Sequence, residues 1–360
     1  MSCKSKKEEV VVIKGQRGDK DVPWLHVVRV IACLLVVCVH TIPPYDEFLC
    51  EGRDAVFRDI LSLFTKPCVP LFFMITGFLI LPYKGGDFLD LYRKRIPRVL
   101  YPLLFWGCVY AILPWLLNMY DMDIMLKELL LSPVKSPGRI GGILWYLFML
   151  IGIYLIIPFV NPAIYESKRM MIAYLMLWFV TSLTIILQKY THNWDLVLGY
   201  NSWRHHFDMT IYFSGYLGFL LLGTAIKLGM LPARILGGGK LNLIIIYLIV
   251  YLISYKYGLL SWSFLAFGTV VMTLCIFLLV KDMDINEDGL FYSTIKSVSK
   301  YSFGIYLSHM VVFRCLTVQL YYQIGTFWYI QLLTPVLTII GAYFLVRIVC
   351  LLPISKYLVG

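Results

Sequence analysis

The chain has 360 residues, of which 60% are hydrophobic and only 15% are charged. A soluble domain carries about 25% charged residues, so this composition excludes an ordinary soluble protein and requires apolar surface that faces lipid. The net charge of +11 would suggest a nucleic-acid partner in a soluble protein. Here the basic residues lie in short segments between apolar runs, as in cytoplasmic loops. We therefore predict a multi-pass membrane protein with no nucleic-acid partner.

The chain begins with a segment of mixed charge. Residues 1–23 contain one short apolar patch, and no small-residue cleavage site follows the first long apolar run. This pattern favours a disordered cytoplasmic tail followed by a retained helix over a secretory signal. We expect three regions, which are a tail at 1–23, a transmembrane domain at 24–351 and a short cytoplasmic tail at 352–360.

The apolar runs predict an all-α bundle of about ten membrane-spanning helices, because a span needs about 20 mostly apolar residues. The seventh and eighth runs are separated by only a short break at 255–258, so they are two spans or one span with a re-entrant piece. The predicted spans are 24–42, 59–81, 98–118, 142–160, 170–188, 208–226, 241–256, 262–280, 301–322 and 328–351.

The distribution of basic residues predicts the orientation of the bundle. If both termini are cytoplasmic, 22 of the 32 lysines and arginines lie inside and the remaining 10 lie outside. This excess follows the positive-inside bias. With that orientation, Cys3 and Cys50 lie on opposite membrane faces. The nine cysteines include no Cys-x-x-Cys pair and no Cys/His ligand spacing, so we expect no metal site.

The first span contains two ionisable residues, Arg29 near its inner end and His40 near its outer end. Eleven residues of α-helix make three turns plus about 20° and a rise of about 16 Å, so both side chains lie on one face. Ionisable groups within a span usually face a wet cavity or the bundle interior. Arg29 is a functional residue or a snorkelling anchor, and His40 is a functional residue or an interfacial hydrogen-bonding group.

A basic cluster, residues 92–98, opens the third predicted span. Arg95 and Arg98 share a helix face at i, i+3 spacing, and Pro97 suits the first turn of a helix. Two guanidinium groups beside a helix N-terminus would bind phosphate. The alternative is that they are only topological charges.

Other polar residues are weaker candidates. His309, in the ninth span, is a second acid/base group or a histidine that joins two helices by a hydrogen bond. Four residues at the outer mouth of the sixth span form either a sugar-binding lip or an ordinary solvated loop: Trp203, His205, His206 and Asp208. Around the fourth span, Trp145, Tyr146, Tyr154 and Asn161 are candidates for a polar pathway.

Several stretches together resemble the membrane acyltransferase-3 family, whose members O-acylate bacterial surface sugars. The resemblance runs from about residue 24 to 350. It rests on five features: Arg29 and His40 with ten residues between them, the stretch 69–79, the Arg95-x-x-Arg98 pair, Trp145-Tyr146-Leu147, and the stretch 302–309 that ends at His309.

The resemblance implies an enzyme of the bacterial inner membrane with no permanent cofactor. An acyl-CoA such as acetyl-CoA would be the cytoplasmic donor, and a hydroxyl of an extracytoplasmic glycan would be the acceptor. His40 would be catalytic, while Arg29, Arg95 and Arg98 would support donor binding or the site structure. Thr76 stands where the family often has Ser, and it keeps the hydroxyl.

Several points stay open at the level of sequence. His40 would act as a general base or as an acyl carrier, and the candidates to orient its imidazole are Asp46, Glu47 and Asp208. A glycan transporter is the main alternative function, and a glycan sensor without turnover is another. No Asp or Glu lies in the middle of a predicted span, which disfavours a proton-coupled transporter.

Overall fold

The computed structural model describes residues 22–43, 47–83, 88–191, 215–232, 239–257 and 264–359. Within these ranges the chain is all-helical and contains no β-strand, which confirms the predicted all-α class. Apolar runs in lipid adopt helices because a helix satisfies its own backbone hydrogen bonds. The α-helices are α1 (Pro23–Thr41), α2 (Gly52–Phe64), α3 (Cys68–Ile80), α4 (Phe88–Leu116), α5 (Met122–Leu131), α6 (Gly138–Gly141), α7 (Trp145–Ile156), α8 (Ala163–Glu166), α9 (Lys168–Thr191), α10 (Leu217–Lys227), α11 (Lys240–Tyr257), α12 (Phe267–Lys281), α13 (Leu290–Val312), α14 (Gln319–Gln323), α15 (Trp328–Val349) and α16 (Ser355–Leu358).

Seven helical stretches of the described chain are long and apolar enough to cross a membrane: Pro23–Thr41, Gly52–Ile80, Leu89–Leu116, Gly142–Phe159, Lys240–Tyr257, Leu290–Gln323 and Trp328–Val349. The apolar helices α10 and α12 are shorter. The structure therefore supports a multi-pass membrane protein, while the count of ten spans stays a prediction. The sixth predicted span, 208–226, lies partly outside the described residues.

The second predicted span is not one continuous helix. Helices α2 and α3 are separated by a turn at residues 65–67. The break falls at Pro67, which lacks a backbone N–H and disfavours helical geometry in the preceding residue. The side chain of Lys66, inside this turn, is only 5% exposed. The bend therefore places a cation inside the bundle.

Helix α4 begins ten residues before the predicted start of the third span. It runs for 29 residues from Phe88, with Pro97 inside it. Arg95 and Arg98 consequently lie in its third turn, and the expectation that they flank a helix N-terminus is wrong. The polar segment before the apolar run continues the helix, because lysine and arginine are good helix formers.

Helices α3 and α10 form the tightest crossing in the core. A Cβ atom added at Gly77 would lie 1.9 Å from the carbonyl oxygen of Leu220, and one added at Gly223 would lie 2.1 Å from that of Met74. The two backbones approach closely because both contact positions are glycine. The Thr224 hydroxyl lies 2.9 Å from the Leu220 carbonyl oxygen of its own helix and 3.1 Å from the Gly77 carbonyl oxygen of α3, so its proton is shared between the two helices.

The seventh and eighth predicted spans correspond to two separate helices, α11 and α12, which pack on each other. Most side chains of α11 are exposed, including large apolar ones, as expected for a lipid-facing helix. At the other end of the chain, α16 packs against α4. Residues 352–359, predicted to be a short tail, therefore include a helical turn that contacts the bundle.

Candidate functional site

A partly open cavity of about 200 Å³, the more enclosed of two that adjoin, lies among five helices, α1, α3, α4, α7 and α13. Its lining is largely apolar, but it contains two arginines, a threonine, a serine and three tyrosines. The lining residues are Arg29, Val36, Val69, Phe72, Ile75, Thr76, Leu79, Ile80, Arg95, Tyr146, Leu150, Tyr154, Ser302, Phe303 and Tyr306. Three residues singled out in the sequence, Arg29, Thr76 and Arg95, thus meet in one cavity although they belong to three helices.

Arg29 is fixed in this cavity by a serine of another helix. Its Nη1 donates to Ser299 Oγ at 3.2 Å, and His26 Nδ1 lies 2.9 Å from the same hydroxyl. Ser299 is buried in α13. The guanidinium group therefore points into the bundle rather than away from it, and this geometry disagrees with a simple snorkelling anchor.

A second, more open cavity of about 630 Å³ adjoins the first. It is lined by Pro97, Arg98, Val99, Tyr101, Leu150, Tyr154, Phe303 and Tyr357. Leu150, Tyr154 and Phe303 line both cavities. The two spaces therefore adjoin and share part of their lining, and together they are called the path below. Arg98 lies in the open part and Arg95 in the enclosed part, one helical turn apart.

Tyr154 lies where the two cavities meet. It is buried, and both Arg95 and Arg98 are near enough to interact electrostatically with its hydroxyl. The hydroxyl of Tyr92, one turn before Arg95, donates to the Leu155 carbonyl oxygen at 2.8 Å. This bond joins α4 to α7 and holds the two arginines against the path. Tyr146 and Tyr154 line it, as proposed for a polar pathway, whereas Asn161 is exposed and accepts from the Ala163 backbone N–H.

Thr76 presents its side chain to the enclosed cavity. Its hydroxyl donates to the Phe72 carbonyl oxygen at 2.8 Å, within α3 itself. The hydroxyl proton is therefore used inside the helix, while the oxygen can still accept a hydrogen bond from a ligand.

The imidazoles of His40 and His309 lie close together next to the enclosed cavity, on the side lined by Val36 and Tyr306. The ring centroids of His40 and His309 are 5.5 Å apart, and the His309 ring lies 6.2 Å from that of Tyr306, which lines the cavity. Val36, one turn before His40, lines it as well. The path therefore leads from Arg98, past Arg95 and Arg29, towards a histidine pair.

The hydrogen bonding of His309 defines its neutral tautomer. Nδ1 lies 2.6 Å from the Tyr306 carbonyl oxygen, and a carbonyl can only accept, so Nδ1 carries the proton. The other nitrogen, Nε2, is buried and has no hydrogen-bond partner among the described residues. It therefore offers a lone pair inside the bundle. The bond lies within α13, so it does not join two helices.

Lys66 is a site residue that the sequence reasoning missed. It falls inside the predicted span 59–81 and was counted only among the outside basic residues. It is buried, lies 5.8 Å from the Phe264 ring centroid and is near enough to His40 for their charges to interact. The available signal was a lysine that directly follows the apolar stretch 60–65 and precedes a proline. Such a lysine is expected to be buried when both flanking helices enter the membrane.

Of the three carboxylates proposed to orient His40, Glu47 lies among the described residues. Glu47 Oε2 accepts from Arg314 Nη1 at 2.6 Å in a largely buried ion pair, so this carboxylate is engaged with another residue. Asp46 and Asp208 lie outside the described residues, and so do the acceptor-side candidates Trp203, His205 and His206. Within the described ranges, no three His, Cys, Asp or Glu side chains cluster as metal ligands.

The chain matches the model of the acyltransferase-3 family, described as an acyltransferase domain, over residues 22–354. No curated protein and no solved structure matches it. The match covers nearly all of the chain and includes every residue that lines the enclosed cavity. It gives no support to the transporter alternative. The chain therefore belongs to the acyltransferase-3 family and is a membrane acyltransferase.

Proposed function

We propose that this enzyme transfers an acyl group from a cytoplasmic acyl-CoA to a hydroxyl of an extracytoplasmic glycan, with His40 as the catalytic residue. One observation carries the proposal. Two adjoining cavities lead past three arginines, Arg98, Arg95 and Arg29, towards the pair formed by His40 and His309.

The shape of the path suits an acyl-CoA. Ligand pockets usually enclose about 300–1,000 Å³. The open cavity of about 630 Å³ is large enough for a nucleotide, whereas the enclosed cavity of about 200 Å³ suits a slender chain. A bulky nucleotide followed by a narrow pantetheine arm is the form of coenzyme A. The arm would extend past Arg29 and bring the thioester towards His40.

The charges along the path suit the same ligand. Guanidinium groups bind phosphate by charge-assisted hydrogen bonds. Arg98 at the open cavity and Arg95 at the enclosed cavity would hold the diphosphate and the 3′-phosphate of the nucleotide end. Arg29 lies deeper, where the lining is otherwise mostly apolar. There it would contact the amide oxygens of the arm.

The histidine pair supports two routes for the transfer. In the first, a His40 ring nitrogen takes the proton of the acceptor hydroxyl as that oxygen attacks the thioester carbonyl, and the departing thiolate takes the proton. In the second, the same nitrogen attacks the carbonyl, and an acyl-imidazole forms as CoA leaves as a thiolate. The acceptor oxygen then displaces the imidazole, while its hydroxyl proton passes through a neighbouring base such as His309 Nε2 to the thiolate. His309, with its free Nε2, is a supporting acid/base group in either route.

The proposal includes an orientation and an acyl group. Both termini would be cytoplasmic in a bundle of about ten spans in the bacterial cell membrane, since the basic residues then follow the positive-inside bias. That orientation puts Arg95 and Arg98 on the donor side and His40 near the acceptor side. The stretches 29–41 and 69–79 resemble those of the enterobacterial common antigen O-acetyltransferase, which makes acetyl the first acyl group to test.

The test compares surface glycans from cells that express the wild-type protein or the His40→Ala variant. Mass spectrometry of the released glycans should show O-acetyl groups only with the wild type, at equal amounts of membrane-inserted protein. Radiolabelled acetyl-CoA should also label the purified wild-type protein if His40 carries the acyl group, and should leave it unlabelled if His40 acts as a base. Full O-acetylation with His40→Ala would exclude His40 as the catalytic residue.

A further inference from the structure

The segment after α15 turns back towards the bundle and reaches the open cavity. Helix α16 packs against α4, and the side chain of Tyr357 lines the cavity beside Arg98. From the sequence, this segment was expected to be only a short tail. The structure places it next to the proposed nucleotide end of the donor site.

The segment is held by a hydrogen bond to α4 and by apolar contacts with three other helices. The indole N–H of Trp106 donates to the Leu358 carbonyl oxygen at 2.8 Å. The side chains of Leu358 and Val359 are buried with residues of α1, α13 and α15. A Cβ atom at Gly304 would lie only 3.1 Å from Val359, so this part of α13 is matched in shape to the segment.

Tyr357 differs from its neighbours because it is 44% exposed, whereas Leu358 and Val359 are 8% and 9% exposed. Its ring meets Tyr101 edge to face, with centroids 5.3 Å apart and planes at 86°. Tyr101 is 46% exposed and lines the same cavity. Both rings are therefore partly exposed in the lining of this cavity, where an aromatic surface can stack on a planar base.

We propose that Tyr357 and Tyr101 form the adenine-binding wall of the donor site, and that the segment 355–359 is an integral part of that site. This inference rests on the proposed function and deepens it. Aromatic side chains bind a base through stacking, which tolerates a solvent-exposed position. Arg98, in the same lining, would hold the phosphates of the stacked nucleotide. The arginines thus contribute charge, and the tyrosines contribute recognition of the base.

The experiment measures binding to the purified full-length protein with three probes: acetyl-CoA, adenosine 3′,5′-bisphosphate and acetyl-pantetheine, which lacks the nucleotide. Tyr357→Ala should weaken the first two about tenfold, as expected for one stacking contact, and leave the third unchanged. Tyr357→Phe should bind all three like the wild type, because the ring is kept. Tyr329→Ala, which removes an exposed tyrosine that lines neither cavity, is the matched control.

The outcomes separate this inference from the proposed function. If the wild type binds acetyl-CoA and Tyr357→Ala binds it equally well, the adenine wall is wrong and the donor assignment stands. Equal weakening of acetyl-CoA and acetyl-pantetheine would indicate only a structural role and would also overturn the inference. If the wild type binds neither acetyl-CoA nor the bisphosphate, the proposed function itself fails. Should Tyr357→Ala not fold, Tyr357→Leu and Tyr101→Leu give the same comparison.

Discussion

At the scale of single residues, the environment of each side chain decides its chemistry more than its identity does. Arg29 is fixed by Ser299 and lines a cavity, so it can bind a ligand. Glu47 has the right charge to orient His40 but is engaged by Arg314. His309 has one nitrogen committed to a carbonyl and the other unpartnered within the described chain. These differences lead to two predictions.

The first concerns Nε2 of His309. In His309→Asn, the amide nitrogen can take the place of Nδ1 and keep the bond to the Tyr306 carbonyl, while Nε2 is lost. We expect the maximal rate of acyl transfer to fall about 100-fold, the low end for an acid/base group, with the affinity for acetyl-CoA unchanged. The measurement is steady-state CoA release, with thermal melting as a check on folding. An unchanged maximal rate would leave His309 without a chemical role.

The second concerns the arginines of the donor path. Arg95→Gln and Arg98→Gln should each weaken acetyl-CoA binding about tenfold, because each removes a charged hydrogen-bond donor to phosphate. Arg93→Gln is the matched control, since Arg93 is exposed on the same helix and lines neither cavity. The wild-type affinity should also fall as salt is added. If Arg93→Gln weakens binding as much as Arg98→Gln, the effect is only general surface charge.

At the scale of secondary-structure elements, the site depends on how closely helices approach. Helix α3 contributes more side chains to the enclosed cavity than any other helix, and its position is set by the glycine contacts with α10. Helix α4 contributes both arginines of the pair because it extends as one helix from Phe88 through Pro97. The tight crossing and the long helix together align Arg95 with Arg29 and Thr76.

The crossing of α3 and α10 can be tested directly. Gly77→Ala and Gly223→Ala should each destabilise the protein by about 1–3 kcal/mol, because the added methyl group would overlap a backbone carbonyl that cannot move aside. Gly152→Ala in α7 is the control, since a Cβ atom there meets nothing within 4 Å. The readout is the thermal midpoint of the detergent-purified protein. A midpoint for Gly77→Ala that equals that of Gly152→Ala would contradict the close approach.

At the scale of the whole molecule, acyl transfer between two compartments requires a fixed orientation in the bilayer. The open cavity, which is the proposed donor entrance, lies beside Arg98, whereas His40 lies at the C-terminal end of α1. If the N-terminus is cytoplasmic, the loop between α1 and α2 faces outwards, and it contains Cys50. The free thiol of Cys50 is partly exposed, so it reports the orientation.

A single-cysteine variant that retains only Cys50 should react with a membrane-impermeant maleimide in intact spheroplasts. A variant that retains only Cys3 should react only after the membrane is permeabilised, because the N-terminal tail is expected to be cytoplasmic. The measurement is the mass shift of the labelled protein on a gel. Labelling of Cys3 but not Cys50 in intact spheroplasts would reverse the orientation and place the arginines on the wrong side for CoA.

The fold class could be predicted from the sequence because it depends on local patterns, and so could the candidates Arg29, Thr76 and Arg95, which the structure brings into one cavity. Apolar runs predicted the helices, and the spacing of Arg29 and His40 placed both on one face of α1. The long-range contacts could not be predicted in this way. Lys66 was counted among the outside basic residues, and only the turn between α2 and α3 shows that it is buried. Tyr357 was expected in a short tail, and only the packing of α16 against α4 places it in the cavity lining.

The sequence by itself determined that this protein is an all-helical, multi-pass membrane protein with cations and imidazoles inside its spans. This was possible because a lipid bilayer requires long apolar helices, and because ionisable residues are rare within such helices and therefore easy to identify. Only the tertiary structure decided which of these groups share a cavity. That outcome depends on packing between helices far apart in the chain, such as α3 against α10 and α1 against α13, which no local pattern encodes.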